Sequence, residues 1–437
     1  METTRKDYTA NEVLQFVQEN DVKFVRLMFC DLFGTMKNIA IMAEELPKAF
    51  LLGVSFDASA VDGFLREERS DLFLFPDPST LTVLPWRPQQ GRVVRLFCDI
   101  RHPDGNPFEG DSRHILSHAV EMAAAMGYTV QIGSECEFYL FEQDEKGLPT
   151  TIPQDRAGYL DFSPLDKGEN VRREVCYALE AMGMRPEGSH HEKGPGQNEI
   201  DFTHADPLTA ADNTIMFKST VKTIAQHNGL FASFLPKPLF DKSGNGLHVN
   251  ISLYREGENI FQRIDEEGPN EAKSFVEGVL THIKACTVFF NAIPNSYLRF
   301  GAYAAPKHIS WSHENRAQLV RIPAQRGEQA RMEVRSPDSS CNPYLAYTLL
   351  ILAGLWGMKE HVVLRPAHTG GNTEALETLP PSLGEAIALA KADEFINEVL
   401  TKSVREAYWE RTEAEWEAYQ KANDSYEWTM EQHFPLY

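Results

Sequence analysis

The sequence predicts a chain of mixed strands and helices folded as two domains, residues 1–103 and 104–437. Three observations carry this. The 437 residues exceed what one hydrophobic core usually serves. With 42% hydrophobic and 24% charged side chains, the composition is that of a globular protein and not of a disordered one. A run of turn formers from Arg101 to Pro107 separates a strand-rich stretch from an amphipathic helix.

Taken in order, Thr9 and Glu12 have capping-box spacing and start a short helix to about Asn20. Val22 to Phe29 alternates as a strand, turned by Asp31 to Gly34. Leu81–Trp86 and Val93–Ile100 are a second strand-rich region. Ser112–Met126 is amphipathic and ends at Gly127, after which strands alternate with helices. Asn342 followed by Pro343 is an N-cap with proline at the first helical position, opening the uncharged run that ends at Met358. About fifteen apolar residues are too few to cross a bilayer, so this is expected to be a buried core helix. Pro380–Tyr437 is expected to be helical and strongly charged. No internal repeat or low-complexity tract is present.

The 63 acidic and 42 basic residues give a net charge of −21. That balance argues against a nucleic-acid binder, which needs a basic face for phosphates. It leaves two readings of the surplus, a solvated surface or carboxylates gathered around metals. The start, Met1 to Asp7, opens no apolar leader. Cys30, Cys98, Cys136, Cys176, Cys286 and Cys341 have no zinc spacing and suit a reducing cytosol, so a cytoplasmic location without membrane partners is expected.

Common nucleotide and hydrolase motifs are absent: no GxxxxGK[ST], no GxGxxG after a strand, no GxSxG, no HExxH. Carboxylates in unusual settings are present instead. Glu135 and Glu137 lie at i and i+2 of an otherwise apolar strand, on one face and roughly 6.5–7 Å apart. Like charges there repel unless a cation lies beside them; a solvated strand face is the alternative. Glu192 and Glu199 flank the loop at Gly194-Pro195-Gly196, which no helix can span. His248, Asn250 and Ser252 share one strand face after a glycine-rich turn. Arg331, Glu333 and Arg335 alternate on another, as an anion-plus-metal site or a surface charge ladder. Five glutamates and one histidine are mostly oxygen donors, which suit Mg²⁺ or Mn²⁺ and not structural zinc. With Arg299, Arg316 and Arg321 nearby, these are the ingredients of metal-dependent phosphoryl transfer.

The combination resembles type I glutamine synthetase over essentially the whole chain. The segments that carry the resemblance are Phe56–Gly63, Pro76–Thr80, Glu135–Phe138, His190–Glu199, Pro236–His248, Asn315–Pro323, and Glu333–Arg335 with Asn342–Tyr344, in the family order. It implies an α+β protein with a β-grasp N-terminal domain and a catalytic domain whose antiparallel strands line a funnel. It further implies a homo-oligomer, a dodecamer of two hexameric rings, with sites between neighbouring subunits and two or three divalent ions per site. By resemblance, Glu137, Glu192 and Glu199 hold the ion near the amino acid, and Glu135, His248 and Glu333 the one near ATP. Glu187, Asn250, Ser252, Arg316, Arg321 and Arg331 face ATP. Tyr159, Ser243, Gly244, Arg299 and Arg335 hold the amino-acid substrate, and Asp57, Arg299, Arg316 and Arg335 carry catalysis. The implied reaction makes γ-glutamyl phosphate from glutamate and ATP, then displaces phosphate with ammonia.

Arg321–Gly327 is similar to the ATP loop of the α subtype. No tyrosine lies between Tyr347 and Tyr408, where the other subtype is adenylylated, and Phe64–Arg66 resembles the segment tied to feedback inhibition by glutamine. Three departures cluster at the amine end. The family flap reads Gly-Tyr-Glu-Ala-Pro, whereas Ala302-Tyr303-Ala304-Ala305-Pro306 lacks its glutamate and comes one residue sooner after Arg299. Ala60 replaces a serine, and Ser243 replaces an asparagine. A lost negative charge with added space leaves a glutamate–amine ligase acting on a polyamine, ethanolamine or another alkyl amine as an alternative. A catalytically silent homologue is a further one.

Overall fold

The computed structural model describes residues 8–65, 70–87 and 90–437. Arg66 of the feedback-like segment and the charged start Met1–Asp7 fall outside them. Thr9 caps the first helix, Ala10–Glu19, and the reciprocal bond from Glu12 closes the expected capping box. The helix buries Val13 and Val17 against an N-terminal sheet ordered Met36–Met42, Val22–Cys30, Arg92–Arg101, Asp71–Pro76, Val54–Asp57. Val22–Cys30 and Arg92–Arg101 run parallel, so the first and last long strands of this region lie side by side. Of Leu81–Trp86 only Thr82–Val83 is strand, because Pro85 cannot donate to a ladder and the chain turns there.

A second sheet of ten strands follows. Its main path is Trp311–His313, Val320–Ile322, Met332–Val334, Leu247–Arg255, Thr129–Gln143, Gln197–Phe202, Pro186–His191. Every pairing on this path is antiparallel except Trp311–His313 with Val320–Ile322, which is parallel. One face is apolar, with Cys136, Phe138, Ile200, Val249, Ile251 and Val334 in the main core. The other face carries the ionic residues.

Helix Pro343–Lys359 is the expected core helix, buried over nearly its whole circumference. No helix among the described residues is long and apolar enough to cross a membrane. It crosses Glu271–Phe290 at two glycines. A Cβ on Gly278 would lie 2.2 Å from the Ala353 carbonyl oxygen, and one on Gly357 would lie 2.2 Å from that of Ser274. Gly357→Ala must therefore push two backbones apart. We expect about 1–3 kcal/mol of lost stability, seen as an unfolding midpoint several degrees lower, with activity per folded molecule little changed; an unshifted midpoint would refute the contact.

The two sheets are tied by named bonds. Arg113 reaches Asp77 at 2.8 Å and Asp99 at 2.7 Å on the N-terminal side and Asp212 at 3.2 Å on the other. Asn342 caps its helix by accepting from the Tyr344 amide at 3.0 Å and also donates to the Leu32 carbonyl at 3.1 Å. The last stretch is four helices, Leu383–Ala392, Glu394–Val399, Lys402–Lys421 and Ser425–Gln432. Phe434 then packs with Tyr139 and Phe141, which follow Glu137 at period two on Thr129–Gln143, in a cluster separate from the main core.

Candidate active site

Register places the ionic residues in rows. Glu199 pairs with Glu137 across neighbouring strands, Asp201 with Glu135, and Glu135 in turn with His248. Asn250 pairs with Glu333 and Glu333 with Arg321. Residues directly opposite lie about 4.5–5.5 Å apart and share a face, so five strands gather their charges on one surface. That surface floors a cavity of about 410 Å³ lined by Glu135, Glu137, Tyr159, Glu192, Glu199, Ser243, Gly244, His248, Arg299, Arg316, Arg321, Arg331 and Arg335. The flap residues Ala302–Ala305 form part of its wall.

Glu135, His248 and Glu333 come together as the resemblance implies, with one donor atom from each within 4.8 Å of the others. Burial works to raise Glu135, but hydrogen bonds from His248 at 3.2 Å and Asn250 at 3.0 Å prevail and hold it at about 2. Glu333 is fully buried and accepts ion pairs from both Arg321 and Arg335. The Nε of each arginine is buried without a hydrogen-bond partner. Arg335 and Arg331 flank the short strand Met332–Val334 and are not part of it.

On the amino-acid side, Glu192 and Glu199 group with His190. Burial pushes Glu199 well above the usual carboxylate range, and the charges of Glu137 and Asp201 push the same way. Loss of water raises Glu137 as well, with Glu192 adding to it. Glu192 is drawn down despite burial, because His190 and the Lys193 amide bond to it. Carboxylates so crowded that two of them resist ionising are what a divalent cation relieves. Their oxygen-rich donor sets, with one histidine in each group, fit a hard ion.

A second cavity of about 220 Å³ shares Glu135 with the first and is lined by Glu187, Asn250, Ser252, Gln325 and Arg331, which brings four of the expected nucleotide residues together, while Arg316 and Arg321 line the first cavity. The Ser252 hydroxyl is directed away, donating to the Ala330 carbonyl at 3.0 Å. Asn250 accepts from Arg331 at 2.9 Å, so it aligns that arginine with Glu135. Arg299 donates to the carbonyls of Ser336 and Arg335 at 2.9 and 3.0 Å. Ser243 lines the cavity, but its hydroxyl donates to Gln197 at 2.5 Å.

Asp57 and Ala60 are not at this cavity within one chain. Both are exposed on the N-terminal sheet's side, and Asp57 accepts from the Ser59 amide at 3.0 Å. Three site residues lacked a strong sequence signal. Asp201 stands at i+2 from Glu199 and lines both cavities, with burial and then Glu135 raising it to about 6. His190 stands at i−2 from Glu192, and its T-shaped ring contact positions Tyr159. Gln197 carries no charge to draw attention.

The flap itself is a tight turn closed by Gly301 N–H to Ala305 O at 3.0 Å and Ala305 N–H to Ala302 O at 2.9 Å. Tyr303 and Ala304 both have left-handed backbones, at φ 49° and 67°. The Tyr303 hydroxyl is tied to the Asp241 carbonyl at 2.5 Å.

Both parts of the chain have counterparts among known proteins. Residues 21–103 match the glutamine synthetase beta-Grasp domain and residues 109–431 the glutamine synthetase catalytic domain. A glutamine synthetase of Clostridium saccharobutylicum is 46% identical, covering 98% of this chain and 99% of its own. One of Methanosarcina mazei is 45% identical over 95% and 96%. Among solved structures, a GmaS/ADP complex superposes with a TM-score of 0.86 at 29% identity, covering 97% of this chain and 99% of that one. Matched at both domains and along nearly its full length, the chain belongs to the glutamine synthetase family.

Proposed function

We propose that this protein is an ATP-dependent glutamate–ammonia ligase, and that Mg²⁺ or Mn²⁺ is the divalent ion, two or three per site. The observation that carries it is the register that aligns Glu199 with Glu137 and Glu135 with His248 on the floor of one cavity, with Glu333 buried and ion-paired to Arg321, which lines it. Divalent cations bound by the two carboxylate sets would neutralise charge on the phosphates and the substrate γ-carboxylate.

The chain's own groups do the rest. Arg299, fixed by two carbonyls, and Arg335 face the amino acid beside Gly244, while Arg316 and Arg321 face the phosphates. A γ-carboxylate oxygen attacks the terminal phosphorus and ADP leaves. Ammonia then attacks the acyl carbon, phosphate leaves, and the nitrogen gives up its proton. Tyr159, which lines the cavity, and Asp57 receive ammonium, which must first lose a proton to become the attacking ammonia, with Asp57 supplied by a neighbouring subunit. A dodecamer of two hexameric rings meets that need. We place the domain boundary near residue 103, in the turn before Ser112–Ala125, and the protein in the cytoplasm, which its six free cysteines suit.

The flap supports a second reading. Ala304 lines the cavity where the family has a glutamate, leaving space and one negative charge fewer for a bulkier amine. The two readings are separated by phosphate release from ATP and glutamate with ammonium, methylamine, ethanolamine or putrescine. Ammonium is expected to be fastest. Turnover confined to an organic amine would replace the first reading with the second, and no turnover with any amine would favour the silent homologue. Ala304→Glu adds no new backbone strain, since alanine already carries a Cβ in that conformation. We expect it to lower the ammonium KM about tenfold, worth about 1.4 kcal/mol, and to slow the larger amines. An unchanged ammonium KM would remove the flap charge from the account.

A further inference from the structure

The Gln197 side chain lies beneath the site, and no step above uses it. It is 1% exposed. Its Oε1 accepts from the Gly194 amide at 3.0 Å, and because that partner can only donate, the orientation of the side-chain amide is fixed. Oε1 accepts from the Ser243 hydroxyl as well. The two hydrogens of Nε2 are shared among the Gly244 carbonyl at 3.1 Å, Asn245 Oδ1 at 3.1 Å and Glu137 Oε2 at 3.4 Å. Its backbone carbonyl accepts from the Glu192 amide at 2.7 Å, closing the hairpin that aims Glu192.

One residue thus touches both halves of the amino-acid side. Glu137 and Glu192 are the carboxylates, and Ser243 to Asn245 are the loop. Glu137 is held from the loop side too, by the Gly246 amide at 2.8 Å. The fit leaves no slack. A Cβ on Gly194 would sit 1.9 Å from the Tyr139 hydroxyl oxygen and 2.9 Å from Gln197 Oε1, while that hydroxyl donates to the Ser243 carbonyl at 2.8 Å. A buried network in which every member has a partner holds one geometry and transmits a shift in any member to the others.

We propose that Gln197 is a positioning residue that couples the cation-holding carboxylates Glu137 and Glu192 to the glutamate-binding loop at Ser243–Gly246, with Ser243 acting on the site through Gln197. This rests on the ligase reading for what the loop binds, but not for the coupling. The coupling predicts that damage to the loop is felt as weaker cation binding even with no substrate present.

The test is Mn²⁺ titration of the substrate-free protein, read by the free-ion electron paramagnetic resonance signal, alongside steady-state kinetics. Gln197→Met, close in volume but without the amide, should weaken Mn²⁺ binding about tenfold or more and raise the glutamate KM similarly. The KM for ATP should stay within about twofold, a split that general loosening of the fold would not give. Ser243→Ala removes one hydroxyl at small structural risk and should weaken Mn²⁺ binding about threefold by the same route. It should cost nothing further in the Gln197→Met background. Should Gln197→Met fail to fold, Ser243→Ala alone decides. Mn²⁺ binding within twofold of the parent in the folded variants, or effects that multiply in the double variant, would overturn the proposal. Failure of the ligase reading would appear separately, as a parent protein that does not turn over ammonium while its Mn²⁺ titration still responds to these substitutions.

Discussion

Glu137→Gln should yield a protein that is more stable than the parent in chelator and essentially inactive with cation supplied. Glu137 faces Glu199 across the strand pair and is raised by loss of water and by Glu192. In the absence of a cation, that set is a cost to the fold, because charges crowd together away from water. A neutral amide of the same shape removes one of them and can still accept from the Gly246 amide. We expect the unfolding midpoint in chelator to rise by several degrees. Activity should fall about a thousandfold or more, since removing even an outer-shell partner of a ligand typically costs 10–100-fold.

The same carboxylates set a pH signature. Folded-state values for Glu137 and Glu199 are raised, so the folded chain retains protons that the unfolded chain has released above the ordinary carboxylate range. The contribution of these two groups to metal-free stability is therefore greatest below that range and is lost as pH rises through the raised values. Cation affinity moves the opposite way, because the ligands must be deprotonated. Thermal unfolding in chelator at a series of pH values should give a negative slope for the parent and a flatter one for Glu137→Gln. A less stable variant with an equal slope would refute the crowding argument.

Neither Asp57→Ala nor Arg335→Met subunits alone should exceed about one per cent of parental activity, yet the two co-expressed should recover about a quarter. Arg335 lines the cavity, while Asp57 is exposed on the N-terminal sheet's side of the same chain. If each site takes its cavity from one subunit and its aspartate from the next, random mixing of the two types gives an intact pairing at one site in four. Should Asp57 act within its own chain, no mixture would be active. Size-exclusion chromatography of the same samples reports whether the assembly is intact.

Much of this site was legible because strands have a period of two. Counting alone places Glu135 with Glu137, His248 with Asn250, and Arg331 with Glu333 and Arg335 on common faces; the first two pairs line the cavities, and Glu333 lies buried against Arg335 and opposite Asn250, which binds Arg331. The same count reaches Asp201 from Glu199 and His190 from Glu192, so those two were available to the same rule. What counting cannot supply is which strand lies beside which. That Glu199 meets Glu137, or that Glu333 meets Arg321, depends on pairings between segments far apart in sequence. Gln197 illustrates a further limit, since its contacts converge from three separate loops and strands and nothing local marks it. Helix boundaries were easier. Thr9, Asn342 and Gly127 state them in their own chemistry, through a capping box, an N-cap before proline, and a positive φ of 87°.

Arg321 and Arg335 are both ion-paired with Glu333. On the ligase reading, the Arg321 guanidinium that would receive phosphate is thus already paired, and its partner is fully buried. A bare nucleotide tetra-anion would have to pull Arg321 from Glu333 and leave that buried carboxylate short of a counter-charge, a cost of several kcal/mol. A nucleotide arriving with its cation brings the replacement counter-charge along. On the ligase reading the pairing would act as a filter on the form of the ligand, and excess free ATP should compete only weakly with the cation complex of ATP in steady-state kinetics.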